Sequence, residues 1–342
     1  MSSEYVKTDG LAFVEFSGNN PQLLAAIFDS LGFAKTGQHA DRPIELYSQG
    51  SIRFISNPSA GGNAEQFRSV HCRGACALGF RVDNAREAQT QAIALGAIEA
   101  ECRDYDIPAI RGVGESLIYL VDDGCQEALW DVLNVKETPN PSAGLLTVDH
   151  LTHNLERGNL ARWRDFYETV FGFRKLRSFR IEGKKTGLYS EALASPGGKI
   201  MIPLNESLDE QSQIQEFIDK YHGEGIQHIA LSSSDLYATI RTLRNNGIPF
   251  QETPDAYFDL VDDRVPGHGE DVDALRDLNI LIDGGEAQGG GLLLQIFTKE
   301  SIGPIFFEFI QRKGNEGFGE GNFQALFESI ELDQIRRGVV EV

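Results

Sequence analysis

Two of the seven histidines stand at matching places in short apolar segments: His150 is the third residue of VDHLTHNL and His228 the third of IQHIAL. If those segments are related strands, both imidazoles face one interior. Glu308 lies in PIFFEFIQR, among Phe306, Phe307, Phe309 and Ile310, where a carboxylate buried without a partner is costly and calls for a cation. Two neutral imidazoles and one carboxylate, leaving three positions open on one face, form the donor set of non-haem Fe(II) oxygenases. Zinc accepts the same residue types, but the HExxH helix of the corresponding zinc hydrolases is absent. His153 is a rival ligand, but an odd offset of three on a strand sends it to the face opposite His150. The four cysteines, Cys72, Cys76, Cys102 and Cys125, have irregular spacing and read as reduced thiols, and His71 with Cys72 and Cys76 lacks the paired spacing of a zinc site.

The elements that must position these residues come from a repeat. LAFVEF, ALGFRV, VDHLTHNL and IQHIAL begin at residues 11, 77, 148 and 226, and each is followed by a helical pattern. The helices are predicted at Pro21 to Leu31, Ala85 to Leu95, Leu160 to Phe171 and Leu236 to Asn245. Gly32, Gly96, Gly172 and Gly247 follow them, as C-terminal caps do. Strand, helix, then several strands is thus the unit, and one unit cannot bury its small sheet alone. The reading is an α+β chain of four βαβββ modules paired into two domains. Residues 1–137 form the first, 138–144 a Pro-, Ser- and Gly-rich linker, and 145–342 the second. Phe13 and Gly79 take the histidine positions in the first domain, leaving it a structural or assembly role.

A net charge of −20 repels nucleic acid and anionic bilayers. Arg174, Lys175, Arg177, Arg180, Lys184 and Lys185 alternate with apolar residues, as on a solvated strand face. No apolar run approaches the roughly 18 residues of a membrane span, and MSSEYVKTDG is not a signal pattern, so a cytoplasmic protein is expected. GFGEGN looks superficially like a phosphate-binding loop, but no βαβ unit follows, and the glycines read as hinge and turn residues. Phe323 to Arg337 reads as a final amphipathic helix with Phe323, Leu326, Phe327 and Ile330 on one face.

GPIFFEFIQRKGNEGFGEGNFQALF, together with DHLTHN, GIQHIA and LLLQIF, resembles the 4-hydroxyphenylpyruvate dioxygenases of the vicinal oxygen chelate superfamily. The similarity runs over nearly the whole chain and weakens in the N-terminal half. It implies the paired-module, glyoxalase-like fold, Fe(II) on His150, His228 and Glu308, and a C-terminal helix that gates the pocket. An aromatic 2-oxo acid and O2 are the implied substrates, homogentisate and CO2 the products. Pocket positions carry over onto Ser190, Asn205, Gln213, Gln227, Gln295, Phe297, Phe318, Phe323 and Phe327, with Gln227, Gln295 and Phe323 nearest the chemistry. The resemblance also implies a homotetramer or homodimer. Hydroxymandelate synthase, which shares triad and substrate, is the nearest rival, although Asn205 and the phenylalanine-rich pocket go with ring attack; an extradiol dioxygenase and a metal-free binding protein on the same modules are more distant alternatives.

Overall fold

The chain builds four copies of one strand-and-helix unit, seen in a computed structural model that describes residues 4–136, 142–182, 187–210, 212–285, 290–322 and 325. The first unit runs β1 (Leu11–Gly18), α1 (Pro21–Ser30), β2 (Ala34–Gln38), β3 (Glu45–Gln49) and β4 (Ile52–Ser56), followed by α2 (Asn63–His71). The second is β5 (Arg73–Arg81), α3 (Ala85–Ala94), β6 (Glu99–Ala100), β7 (Ala109–Arg111) and β8 (Leu117–Val121), closed by α4 (Asp123–Val132). The third is β9 (Leu145–Leu155), α5 (Leu160–Phe171), β10 (Arg174–Glu182), β11 (Gly187–Ala194) and β12 (Met201–Ser207), then α6 (Gln213–Tyr221). The fourth opens with β13 (Gly225–Ser233) and α7 (Leu236–Asn245). It then inserts α8 (Asp255–Asp259), α9 (Val261–Arg264) and α10 (Val272–Leu278) before β14 (Leu281–Gly284), β15 (Leu292–Phe297) and β16 (Phe306–Lys313).

Local chemistry starts and stops the unit helices. Asn20, Asn84 and Asp235 accept from the backbone N–H groups of Leu23, Glu87 and Ala238 and so cap α1, α3 and α7. Gly32, Gly96, Gly172 and Gly247 follow the four helices with φ of 82°, 101°, 65° and 84°, a conformation only glycine adopts without strain.

Two eight-stranded sheets result, ordered β2-β3-β4-β1-β5-β8-β7-β6 and β10-β11-β12-β9-β13-β16-β15-β14. In each, two units meet along an antiparallel central pair, β1 with β5 and β9 with β13, and parallel pairs flank it. Each sheet curls into a half-barrel, with two of the four unit helices over its convex face, α1 and α3 on the first and α5 and α7 on the second, and a concave side inside. The seam of the second sheet therefore joins the two strands that carry His150 and His228.

The concave side of the first half-barrel is filled. Phe13 lies over Gly79, where a Cβ would come within 2.8 Å of its ring, and Tyr119 packs 5.9 Å from Phe13. Leu129 of α4 and the following Leu133 join that apolar cluster. The convex-side core runs continuously through both halves and includes Phe54, Phe80, Phe171 and Phe307. Val6 N–H donates to Val170 O and Ser51 N–H to Leu146 O, both at 2.8 Å. His71 bridges Tyr221 O and Gly114 O.

Among the described residues, no helix is long and apolar enough to cross a membrane. The expected terminal helix, with Phe323, Leu326, Phe327 and Ile330, lies outside the described residues, as do Lys184, Lys185 and the first part of the linker. From Ser142 onward the linker is packed: Ser142 Oγ donates to Gln49 Oε1, and Ala143 is buried against Gly32.

Candidate metal centre

His150 and Thr152 of β9, His228 of β13 and Glu308 of β16 reach the concave face of the second half-barrel. The register pairs Thr152 with His228 and Ala230 with both His150 and Glu308, which sets the three ligand-type side chains around one point at the seam. The ladder shifts between Ile226 and His228, so Gln227 is an extra residue there and its amide turns toward the His228 ring. His150, His228 and Glu308 are 3 %, 8 % and 2 % exposed, and their ligand atoms lie within 4.8 Å of one another. Among the described residues no other group of three such side chains is close enough to share an ion.

The surrounding hydrogen bonds decide which atoms are available. Asp149 Oδ1 can only accept, so the His150 Nδ1–H donates to it at 2.8 Å. Gln227 Oε1 likewise accepts from His228 Nδ1–H at 3.0 Å. Both imidazoles therefore present Nε2 to the interior, 3.1 and 3.3 Å from Glu308 Oε2, and Thr152 Oγ1 lies 3.0 Å from His228 Nε2. The other oxygen, Oε1, accepts from Gln295 Nε2 at 3.0 Å. Each donor atom is thus oriented by an outer partner, as metal ligands are. Burial works against ionised Glu308, but the two histidines outweigh it and hold the carboxyl down to about 2. Burial also pulls His150 down, yet Glu308 and Asp149 win and push it up to about 9, whereas burial keeps His228 below its ordinary value. Three converging donor atoms, with a proton on His150 that an ion would displace, fit a divalent metal.

The concave face around the triad divides into a polar and an aromatic side. Ser190, Asn205 and Asn154 stand in register across β11, β12 and β9, and Asn205 Nδ2 donates to Asn154 Oδ1. Ser190 Oγ and Asn154 Nδ2 are buried with no protein partner, an arrangement that asks for a ligand. On the other side Phe306 stacks on His228 at 5.0 Å, Phe297 stands edge-on to it at 6.3 Å, and the Phe318 edge meets His150 at 5.3 Å.

Of the remaining sequence candidates, Gln213 stands apart: it opens α6 exposed, one residue before the buried stripe of that helix begins at Ile214. Phe323 and Phe327 lie outside the described residues. His153 is on the convex side, 6.2 Å from Tyr167, with its Nδ1–H donating to Leu151 O. Sequence reasoning missed Asp149, Asn154, Thr152 and Phe306 as members of the site. A two-residue periodicity through β9 and β16 could have flagged Asn154, Thr152 and Phe306, since they alternate with core residues; nothing local marks Asp149.

Residues 3–133 match the profile of the N-terminal region of hydroxyphenylpyruvate dioxygenase, and 147–261 that of the glyoxalase, bleomycin resistance protein and dioxygenase superfamily. A 4-hydroxyphenylpyruvate dioxygenase of Pseudomonas aeruginosa is 50% identical, covering 98% of this chain and 97% of its own. The chain belongs to the 4-hydroxyphenylpyruvate dioxygenase family. Hemolysin VllY of Vibrio vulnificus is another 50%-identical relative of this dioxygenase-family chain, aligned over 97% of each. A solved triple variant of 4-hydroxymandelate synthase from Streptomyces coelicolor superposes with a TM-score of 0.80 at 25% identity, over 96% of this chain and 99% of its own. The paired half-barrels are the glyoxalase-like α+β fold, and the seam of the second carries a His-His-Glu triad that fits a metal site.

Proposed function

We propose that this enzyme oxidises 4-hydroxyphenylpyruvate with O2 to homogentisate and CO2, on Fe(II) held by His150, His228 and Glu308. The observation that carries the reading is the convergence of three oriented donor atoms on the concave face, beside the unpartnered polar atoms of Ser190 and Asn154. Fe(II), when bound there, would supply the one-electron chemistry and the Lewis acidity through which O2 and a 2-oxo acid react. In the overall balance one oxygen atom enters the new carboxylate, the other enters the ring, and the old carboxylate leaves as CO2. The protein's part is orientation and exclusion of water. Asn154, Asn205 and Ser190 donate to and accept from the polar ends of a neutral phenol and keto acid. Phe297, Phe306 and Phe318 flank an aromatic ring, each favourable edge or offset contact adding about 1 kcal/mol beyond area burial. Gln227 and Gln295 hold His228 and Glu308 while bordering the same space. The filled N-terminal half-barrel has a structural role and offers a surface for homo-oligomer assembly, and the reaction belongs to tyrosine catabolism in the cytoplasm.

The electrons come from the substrate's own 2-oxo acid, so no second cosubstrate is needed. Incubation with 4-hydroxyphenylpyruvate, Fe(II) and O2, read by mass spectrometry, is expected to give homogentisate whether or not 2-oxoglutarate is added. Hydroxymandelate as the product, or turnover that depends on 2-oxoglutarate, overturns the assignment.

A further inference from the structure

Arg312 lies two turns of the pleat beyond Glu308 on β16, half-buried at the edge of the site. Its Nε and one Nη donate to Asp149 Oδ2 and Oδ1, both at 2.8 Å, in a two-pronged pair. Asp149 Oδ1 is also the acceptor that fixes His150 Nδ1–H. The second Nη donates to Asn315 O at 3.1 Å and Gly317 O at 2.7 Å, pinning the turn that leaves β16. The guanidinium lies 5.7 Å from the Phe318 ring centre, and that ring meets His150 edge-on. Four of its five donors are engaged, in a planar pattern that no lysine can reproduce.

We propose that Arg312 is a positioning residue that joins the metal ligand His150 and the aromatic wall at Phe318 into one unit. Asp149 comes from β9 and the turn follows β16, two strands separated by β13, and one guanidinium ties the side chain of the first to the turn after the second. Free rotation of Asp149 would let the His150 ring and its tautomer drift, and release of the turn would let Phe318 swing off the ring. Loss of Arg312 therefore reaches metal affinity and ring placement through a single side chain that touches neither metal nor substrate.

The inference rests on the iron reading above, and the test separates the two. Fe(II) affinity is measured on the full chain by competition with a chromogenic chelator for the natural protein, Arg312→Gln, Arg312→Lys, Asp149→Asn and the Arg312→Gln/Asp149→Asn double variant. Arg312→Gln and Asp149→Asn are each expected to weaken Fe(II) by about 10–100-fold, with the double variant no more than about threefold weaker than Asp149→Asn alone. Arg312→Lys is expected to resemble Arg312→Gln, and it serves as the probe if the glutamine variant does not fold. Arg312→Gln is also expected to raise the KM for 4-hydroxyphenylpyruvate more than Asp149→Asn does, because only the former frees Phe318. Affinity within about threefold of the natural protein in the Arg312 variants, full rescue by lysine, or losses that multiply in the double variant overturn the positioning role. A natural protein that binds no Fe(II) overturns the iron reading instead.

Discussion

Glu308 is buried among phenylalanines and held ionised only by two imidazoles, one of which carries the proton that a metal displaces. Replacing it with Gln removes the one anionic ligand, so Glu308→Gln is expected to weaken Fe(II) by more than about 100-fold and to abolish turnover. His153→Ala is expected to keep full iron content, because that ring is committed to Leu151 O on the far face and burial depresses it to about 4. Iron content measured on both variants checks this; metal retained without Glu308, or lost without His153, means the ligand set is wrongly chosen. That these three side chains converge was legible because a repeat puts two histidines at one position and because a lone acid in an apolar strand is physically anomalous. Asp149 was not, since neighbours on a strand ordinarily face apart and its role depends on Arg312, 163 residues away. Gln213 stands exposed at the start of α6, and a motif match carries no information about which side of a helix start meets solvent.

At the level of elements, capped helices and their closing glycines could be read directly, because each signal is local. The two-residue β6 and the short helices α8 to α10 could not, since tertiary contacts rather than periodicity hold them. The same insertion supplies Tyr257 and Arg264, which donate to Asn322 Oδ1, while Asn322 Nδ2 donates to Gln295 Oε1. Gly319 sits beside that chain with φ of 77°, and a Cβ there would collide with the Gln295 amide. Gly319→Ala is therefore expected to destabilise the fold by about 1–3 kcal/mol and, by displacing Gln295 from Glu308, to weaken Fe(II) as well. Thermal melts and iron titration read the two effects. Values matching the natural protein mean that the 319–322 segment yields easily and does not fix Gln295.

Across the whole molecule, the filled half-barrel contains its own buried acid. Burial, reinforced by Asp104, pushes the Glu15 carboxyl up to about 7 against the pull of Asn57 and Tyr105, which both donate to Oε1. The folded chain then holds this proton more tightly than the unfolded chain, whose carboxyl titrates near 4.5. Stability is therefore unaffected by the shift below pH 4.5, falls between 4.5 and 7, and carries the full penalty of about 3 kcal/mol above that. Glu15→Gln, which keeps an acceptor for both donors, is expected to be more stable than the natural protein at pH 8 and to lose that advantage by pH 5. Urea unfolding at three pH values decides it; a difference that does not change with pH rules out a buried proton at Glu15.

The continuous convex-side core makes the two half-barrels mutually dependent. The apolar back face of each is covered by the other's, with Phe54 against Phe307 and Phe80 against Phe171. Neither half can be cut away without opening the other's interior to water. A chain trimmed to the half that carries the triad is therefore a molecule with an unroofed core, and the half filled by Phe13 and Tyr119 is its obligate scaffolding.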